Sequence, residues 1–171
     1  MHRTQMRPVC QDDEERIRRF LAGLSLHTQT LRFFTGVSNP TPSLVRALLS
    51  LDERRDALVA TTECGEIAGH AMSFRGDDTD VEIAVVVADA WQGRGLGPKL
   101  VDALLVRAVV RGARTVGMDV LGENRRALRL VRRFWPDARM KVVSGCVEVT
   151  ATIDQSGLFA EQGSGATPLT V

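Results

Sequence analysis

The sequence predicts a single mixed α/β or α+β domain, and three observations carry that prediction. Apolar residues recur at helical spacing in the first fifty residues, then at strand spacing from about residue 56. The strand-like part alternates with two further helical segments, giving the order helices, hairpin, strand, helix, strand, helix, strand. The chain has 171 residues, 44% apolar and 25% charged, which suits one soluble domain with a sizeable core.

Taken in order, Thr4–Val9 reads as a short first strand. Asp12–Leu24 reads as a helix. Asp12 or Asp13 can cap it, and Ile17, Phe20, Leu21 and Leu24 fall on one face. Asp12–Glu15 is an ordinary acidic helix start. "SLHTQTLRFF" is a second short helix, residues 39–42 punctuate, and "SLVRALLSL" is a further turn or two. Asp56–Thr62 and Ile67–Phe74 form a hairpin around "ECGE". Val81–Val87 is β-branched and apolar, a buried central strand. Pro98–Arg111 is helical, with Leu100, Leu104, Leu105, Ala108 and Val109 inward and Gly112 as the residue after its C-cap. Thr115–Val120 is a strand, Asn124–Phe134 a helix stopped before Pro136, and Cys146–Ile153 a last strand. From Gly157 onward the chain is small and polar, so the domain is expected over residues 1–155 and a flexible tail over 156–171.

Bulk properties exclude several classes. A formal net charge of +1 predicts neither a nucleic-acid nor a membrane partner. No apolar run approaches the roughly 18 residues of a membrane span. The N-terminal region reaches "QDDEERIRR" with no apolar stretch before it, which points to the cytoplasm. Cys10, Cys64 and Cys146 are far apart and odd in number, and with only three histidines no metal site is expected.

The informative stretch is "VEIAVVVADAWQGRGLGPKL", a strand, a glycine-rich turn and a helix start. A dinucleotide fingerprint would need glycine where Pro98 stands. A P-loop pattern is absent. The spacing that fits is Q-x-x-G-x-G, with Gln92, Gly95 and Gly97. Gly93, Gly95 and Gly97 let backbone N–H groups approach a ligand without a Cβ in the way. The helix that follows adds unsatisfied N–H groups and the positive end of its dipole, so the turn suits a pyrophosphate.

Here the sequence resembles the GCN5-related N-acetyltransferases (GNAT), whose hallmark is an Arg/Gln-x-x-Gly-x-Gly/Ala turn that holds the pyrophosphate of coenzyme A. The element order agrees over residues 4–153. "TLRFF" at Thr30–Phe34 further resembles the acetyltransferase domain of bacterial protein-lysine acetyltransferases. The resemblance implies a mostly antiparallel central sheet of about six to seven strands, flanking helices and a splayed central strand pair. It implies acetyl-CoA as cosubstrate, with the pantetheine arm against the main chain of Val85, Val86 and Val87. The pyrophosphate would lie on the Gln92, Gly93, Arg94, Gly95, Leu96 and Gly97 turn. Pro98 lacks an N–H, so one donor of that turn is missing.

The resemblance also implies direct attack by an amine in a ternary complex, which needs no protein nucleophile. Glu82 is the first candidate for general base, the lone charge between Asp80 and Asp89 and on the strand face of Ala84 and Val86. The competing reading is a carboxylate paired with an arginine. Asp119, on the opposite lip of the splay, is second, against a structural salt bridge. Asn124 is an N-cap, and the resemblance adds a coenzyme contact. Family members often place a tyrosine at the position of Val131, but this chain has none. Water, a cysteine or a histidine would then protonate the thiolate, or it leaves unassisted. His70 reads as structural. Arg125, Arg129, Arg132 and Arg133 read as a solvated face, with the coenzyme 3′-phosphate or an acidic partner as the alternative. Phe33 and Phe34 read as core, with substrate wall as the alternative.

The expected function is acetyl transfer to a primary amine, a protein lysine first. A small amine (polyamine, amino acid or aminoglycoside) is the alternative acceptor. A non-catalytic coenzyme-binding sensor is the alternative from another class. A monomer and a homodimer are both compatible with the sequence.

Overall fold

The computed structural model describes residues 3–37 and 39–154. The tail expected over 156–171 lies outside them. The order is β1 (Thr4–Pro8), α1 (Glu14–Gly23), α2 (Leu26–Phe33), α3 (Pro42–Leu48), β2 (Arg55–Thr62), β3 (Ile67–Phe74) and β4 (Val81–Val87). Then come α4 (Leu96–Val110), β5 (Thr115–Leu121), α5 (Arg125–Phe134), β6 (Arg139–Val143) and β7 (Cys146–Thr152). The strands form one seven-stranded sheet in the order β1-β2-β3-β4-β5-β7-β6. Every neighbouring pair is antiparallel except β4 and β5.

Sequence alternation decides what each face buries. On β2, Leu58 and Ala60 face α4 with Leu100 and Leu104, while Ala57 and Val59 face α1 and α3 with Ile17, Leu21 and Val45. The same alternation on β4 sends Ile83 to the α4 side and Val86 to the α1–α3 side. A third apolar cluster holds α5, through Leu128 and Val131, against Val120, Val147 and Val149. The helical face expected for α1 is the buried one.

Three boundaries differ from the sequence reading. α4 starts at Leu96, not Pro98, so Gly97 lies in the first helical turn and Pro98 is its third residue, where a missing N–H costs nothing. Asp13 precedes α1 but does not cap it. Its buried carboxylate instead takes a bidentate pair from Arg7 at 2.7 Å and the Cys10 N–H at 3.0 Å. β6 was not expected. It is short, exposed and charged, and it folds back on β7 through a two-residue turn, Ser144 and Gly145, both at positive φ.

Candidate active site

β4 and β5 begin as neighbours and then part. Their ladder is two pairs long, Val81 with Val116 and Glu82 with Gly117. Asp80 clamps this closed end, accepting from the Arg114 N–H at 2.8 Å, the Thr115 N–H at 2.9 Å and the Thr115 hydroxyl at 3.1 Å. These bonds hold the Asp80 carboxyl below its ordinary pKa. Beyond Glu82 the two strands make no further pairs, and a cleft of about 990 Å³ occupies the opening.

The cleft passes through the sheet. On one face it is lined by α2 and α3, with Leu31, Phe33, Phe34, Leu44 and Leu48, and by Met72 and Phe74 of β3. On the other it is lined by the start of α4 (Gly97, Pro98, Val101) and by Asn124, Ala127, Leu130 and Phe134. Glu82, Ala84, Val85 and Asp119 lie between the two. Phe33 packs against the α1–α3 core, as expected, and also lines the cleft, whereas Phe34, 50% exposed, is cleft wall.

The main chain of β4 is divided between its two neighbours. Ala88 N–H bonds the Ala68 carbonyl, so by strand alternation the groups of Val86 and Ala84 serve β3. Those of Ile83, Val85 and Val87 face the opening. Of the three valines expected to meet a ligand arm, Val85 and Val87 turn main-chain groups away from β3 and Val86 turns its groups toward it.

The glycine turn continues from β4. Gly93 and Gly95 have φ of +78° and +79°, a region in which a side chain would be strained. The N–H groups of Gly93, Arg94 and Gly95 donate to no backbone carbonyl among the described residues. Those of Leu96 and Gly97 belong to the unsatisfied first turn of α4. The Leu96 side chain is core, so its contribution is its N–H alone. Arg94 lies over the Trp91 ring at 5.6 Å. The Gln92 side chain turns inward. Its Nε2 donates to the Val87 carbonyl and to Thr28 Oγ1, both at 3.1 Å. Thr28 and Ser25 in turn donate to Asp89. Gln92 thus fixes the turn onto β4 and α2.

One basic residue escaped the sequence reading. Arg126 Nη2 lies 3.5 Å from where a Gly93 Cβ would stand, which puts a guanidinium beside the turn. The arginines singled out were its neighbours; the one sequence signal is its place in the first turn after Asn124. Asn124 caps α5, its Oδ1 accepting from the Ala127 N–H at 3.1 Å, and it also lines the cleft.

Glu82 and Asp119 share the sheet face opposite α4. Burial, then the charges of Asp119, Asp77 and Asp78, push the Glu82 carboxyl up. Neither acid makes an ion pair among the described residues. Gly117 makes room for Glu82, since a Cβ there would lie 3.3 Å from Glu82 Cγ and 2.8 Å from Thr79 Oγ1. His70 is fully buried away from the cleft. Its Nε2–H donates to the Leu48 carbonyl at 2.9 Å, and burial pushes its pKa down to about 4. No described cysteine, histidine, serine or threonine lines the cleft. No group of metal-ligating side chains occurs among the described residues.

A strand pair opened above a clamp, a turn of free N–H groups and an acid at the fork form one arrangement, and residues 24–134 match the family described as Acetyltransferase (GNAT) family. The chain belongs to the GNAT acetyltransferases. It is 33% identical over 117 residues to an acetyltransferase of Pseudomonas aeruginosa, covering 66% of this chain and 60% of that one. It is 31% identical over 153 residues to acetyltransferase Pat of Mycolicibacterium smegmatis, covering 84% of this chain and 45% of that one. The crystal structure of the GNAT domain of S. lividans PAT superposes with a TM-score of 0.79 at 26% identity, covering 88% and 90% of the two chains. The chain thus spans about half the length of the two curated relatives.

GNAT enzymes use acetyl-CoA as cosubstrate, and the residues present fit that molecule. The turn offers consecutive free N–H groups with Arg126 alongside for a pyrophosphate. The open side of β4 offers the Val85 main-chain groups and the Val87 N–H to an amide-containing arm, the Val87 carbonyl being taken by Gln92. An apolar cleft leads from both to Glu82.

Proposed function

We propose that the chain is an acetyl-CoA-dependent N-acetyltransferase acting on a primary amine, a protein lysine, with Glu82 as general base. The observation that carries this is the position of Glu82, at the fork of β4 and β5 where the two halves of the cleft meet. Bound acetyl-CoA supplies the activated acetyl thioester. The chain does the rest. Gly93–Gly97 and Arg126 hold the anionic end, and Val85 and Val87 align the arm. The apolar walls exclude water.

An amine arrives as ammonium and needs a base. Glu82, held above its ordinary pKa by burial and by Asp119, Asp77 and Asp78, accepts the proton directly or through one water. Asp119 keeps that pKa high and is the second acid at the site. Among the described residues no cysteine, serine, threonine or histidine lines the cleft, which suits direct transfer with no enzyme-bound acyl group. The lysine assignment draws on the resemblance to Pat and to the S. lividans PAT domain. A cytoplasmic site of action, a domain over residues 1–155 and a monomer or homodimer complete the proposal. Among the described residues no helix is long and apolar enough to cross a membrane.

The test compares the parent with Glu82→Gln, which keeps the shape packed against Gly76 and Gly117. With labelled acetyl-CoA and a desalted lysate, label should enter the protein fraction. The variant should lose about 10²–10⁴-fold in kcat while binding acetyl-CoA as before. An unchanged rate refutes Glu82 as base, and label in small molecules alone refutes the lysine reading.

A further inference from the structure

Arg32 lies in α2 on the wall of the cleft, on the same side of the sheet as Glu82. Its Nε is buried and bonds to nothing among the described residues. It makes no ion pair there, unlike Arg7, Arg16, Arg18, Arg19, Arg107 and Arg111. Its guanidinium rests on the Phe33 ring at 4.7 Å. Burial alone lowers its pKa, to about 10, so it stays charged at neutral pH. A guanidinium whose Nε is buried without a partner is costly to hold, and a ring face offsets only part of that cost. On this side of the sheet the cleft is lined by the apolar Leu31, Leu44, Leu48, Met72 and Phe74, and the buried, neutral His70 is near enough to feel the Arg32 charge. Leucine or methionine would fill its place more cheaply. The fork-shaped donor suits a carboxylate.

We infer that the acceptor carries a carboxylate, which Arg32 holds while the amine lies at Glu82. The inference rests on the acetyl-transfer reading and narrows its substrate class. Arg32 is not among the charges acting on Glu82, nor Glu82 among those acting on Arg32. The two make no ion pair with each other. On the acetyl-transfer reading the amine is a lysine ε-amine, four methylenes from its backbone, so amine and carboxylate bind apart. The carboxylate is then the lysine's own or that of an acidic neighbour in a peptide.

Two matched pairs of acceptors test this: Nα-acetyl-lysine against its amide, and the blocked dipeptide Lys-Asp against Lys-Asn. Each is assayed for coenzyme A release with the full chain, Arg32→Gln and Arg32→Lys. The parent should favour the carboxylate member of at least one pair by about tenfold in kcat/KM, mostly through KM. The first pair responding points to the lysine's own carboxylate, the second to a neighbouring acid. Arg32→Gln should bring the ratio near one without slowing the neutral acceptors. Arg32→Lys keeps the buried charge, guards against loss of the fold and should retain part of the preference. Equal rates within both pairs in the parent, or a preference that survives Arg32→Gln, overturns the inference.

Calorimetric titration of the same acceptors into coenzyme A-loaded protein separates the two readings. Tighter binding of the carboxylate member that Arg32→Gln abolishes supports Arg32 even if nothing is turned over, and the transfer reading then fails. Equal binding, or none, overturns the assignment to Arg32.

Discussion

His70 is where burial converts most directly into a measurable energy. Its side chain is fully buried, and its pKa falls from 6.5 to about 4. The unfolded chain takes up a proton as pH drops through 6.5, whereas the folded protein resists until about 4. Stability is therefore complete above 6.5, declines as the solution is acidified and stops declining below about 4. Each pKa unit is worth about 1.4 kcal/mol. Between pH 7 and pH 5 the linkage amounts to about 2 kcal/mol. The assay is urea unfolding of the parent and of His70→Gln at both pH values. Other groups titrate in both proteins, so the informative quantity is the parent-minus-variant difference. It should shift against the parent by about 2 kcal/mol at pH 5. A difference that stays constant within about 0.5 kcal/mol refutes the argument that His70 is held neutral by burial.

Two glycine substitutions probe the site itself. Gly117→Ala sets a methyl 2.8 Å from Thr79 Oγ1, which already donates to the Val81 carbonyl and is not free to turn. It should cost about 1–3 kcal/mol in thermal unfolding and lower kcat by displacing Glu82. A variant with parental stability and rate would show that Gly117 is not what makes room for the acid. Gly95→Ala meets no atom within 4 Å, so its cost is backbone strain alone, about 1 kcal/mol. The acetyl-CoA Kd should rise about fivefold as the turn relaxes. Gly97→Ala, helical and 3.8 Å from its nearest neighbour, should leave stability unchanged. Equal effects at 95 and 97 would contradict the conformational distinction drawn between them.

What could be read from the chain was what neighbouring residues determine. Val81–Val87 as a central strand, the glycine turn after Gln92 and the Asn124 cap all rest on local signals, whereas the half-buried state of that strand, with only Ile83 and Val86 buried, comes from the opening beside it. β6 was missed because its charges and exposure give no periodic face, although the Ser-Gly pair before Cys146 is a hairpin signal. The approach of Arg126 to Gly93 depends on how α5 docks, which no local spacing encodes. Gln92 belonged to the right motif, but its bonds to Val87 and Thr28 exist only once α2 is in place. Core and substrate wall were both open for Phe33 and Phe34, and only the packing of α2 beside the opened strands gives Phe33 both roles and leaves Phe34 as wall.

The opened pair also leaves the sheet with a raw edge in its interior. Unpaired strand edges ordinarily lie at the rim, where they invite strands from other chains and must be guarded by charge, twist or brevity. Here the open groups of Val85, with the Val87 N–H, are flanked by α2 and α3 on one side and by α4 and α5 on the other. A second protein's sheet cannot reach them; a thin, extended molecule can. The flanking helices thus do two things at once. They protect the fold from self-association at its most adhesive strand, and they reserve that strand for a ligand narrow enough to thread between them.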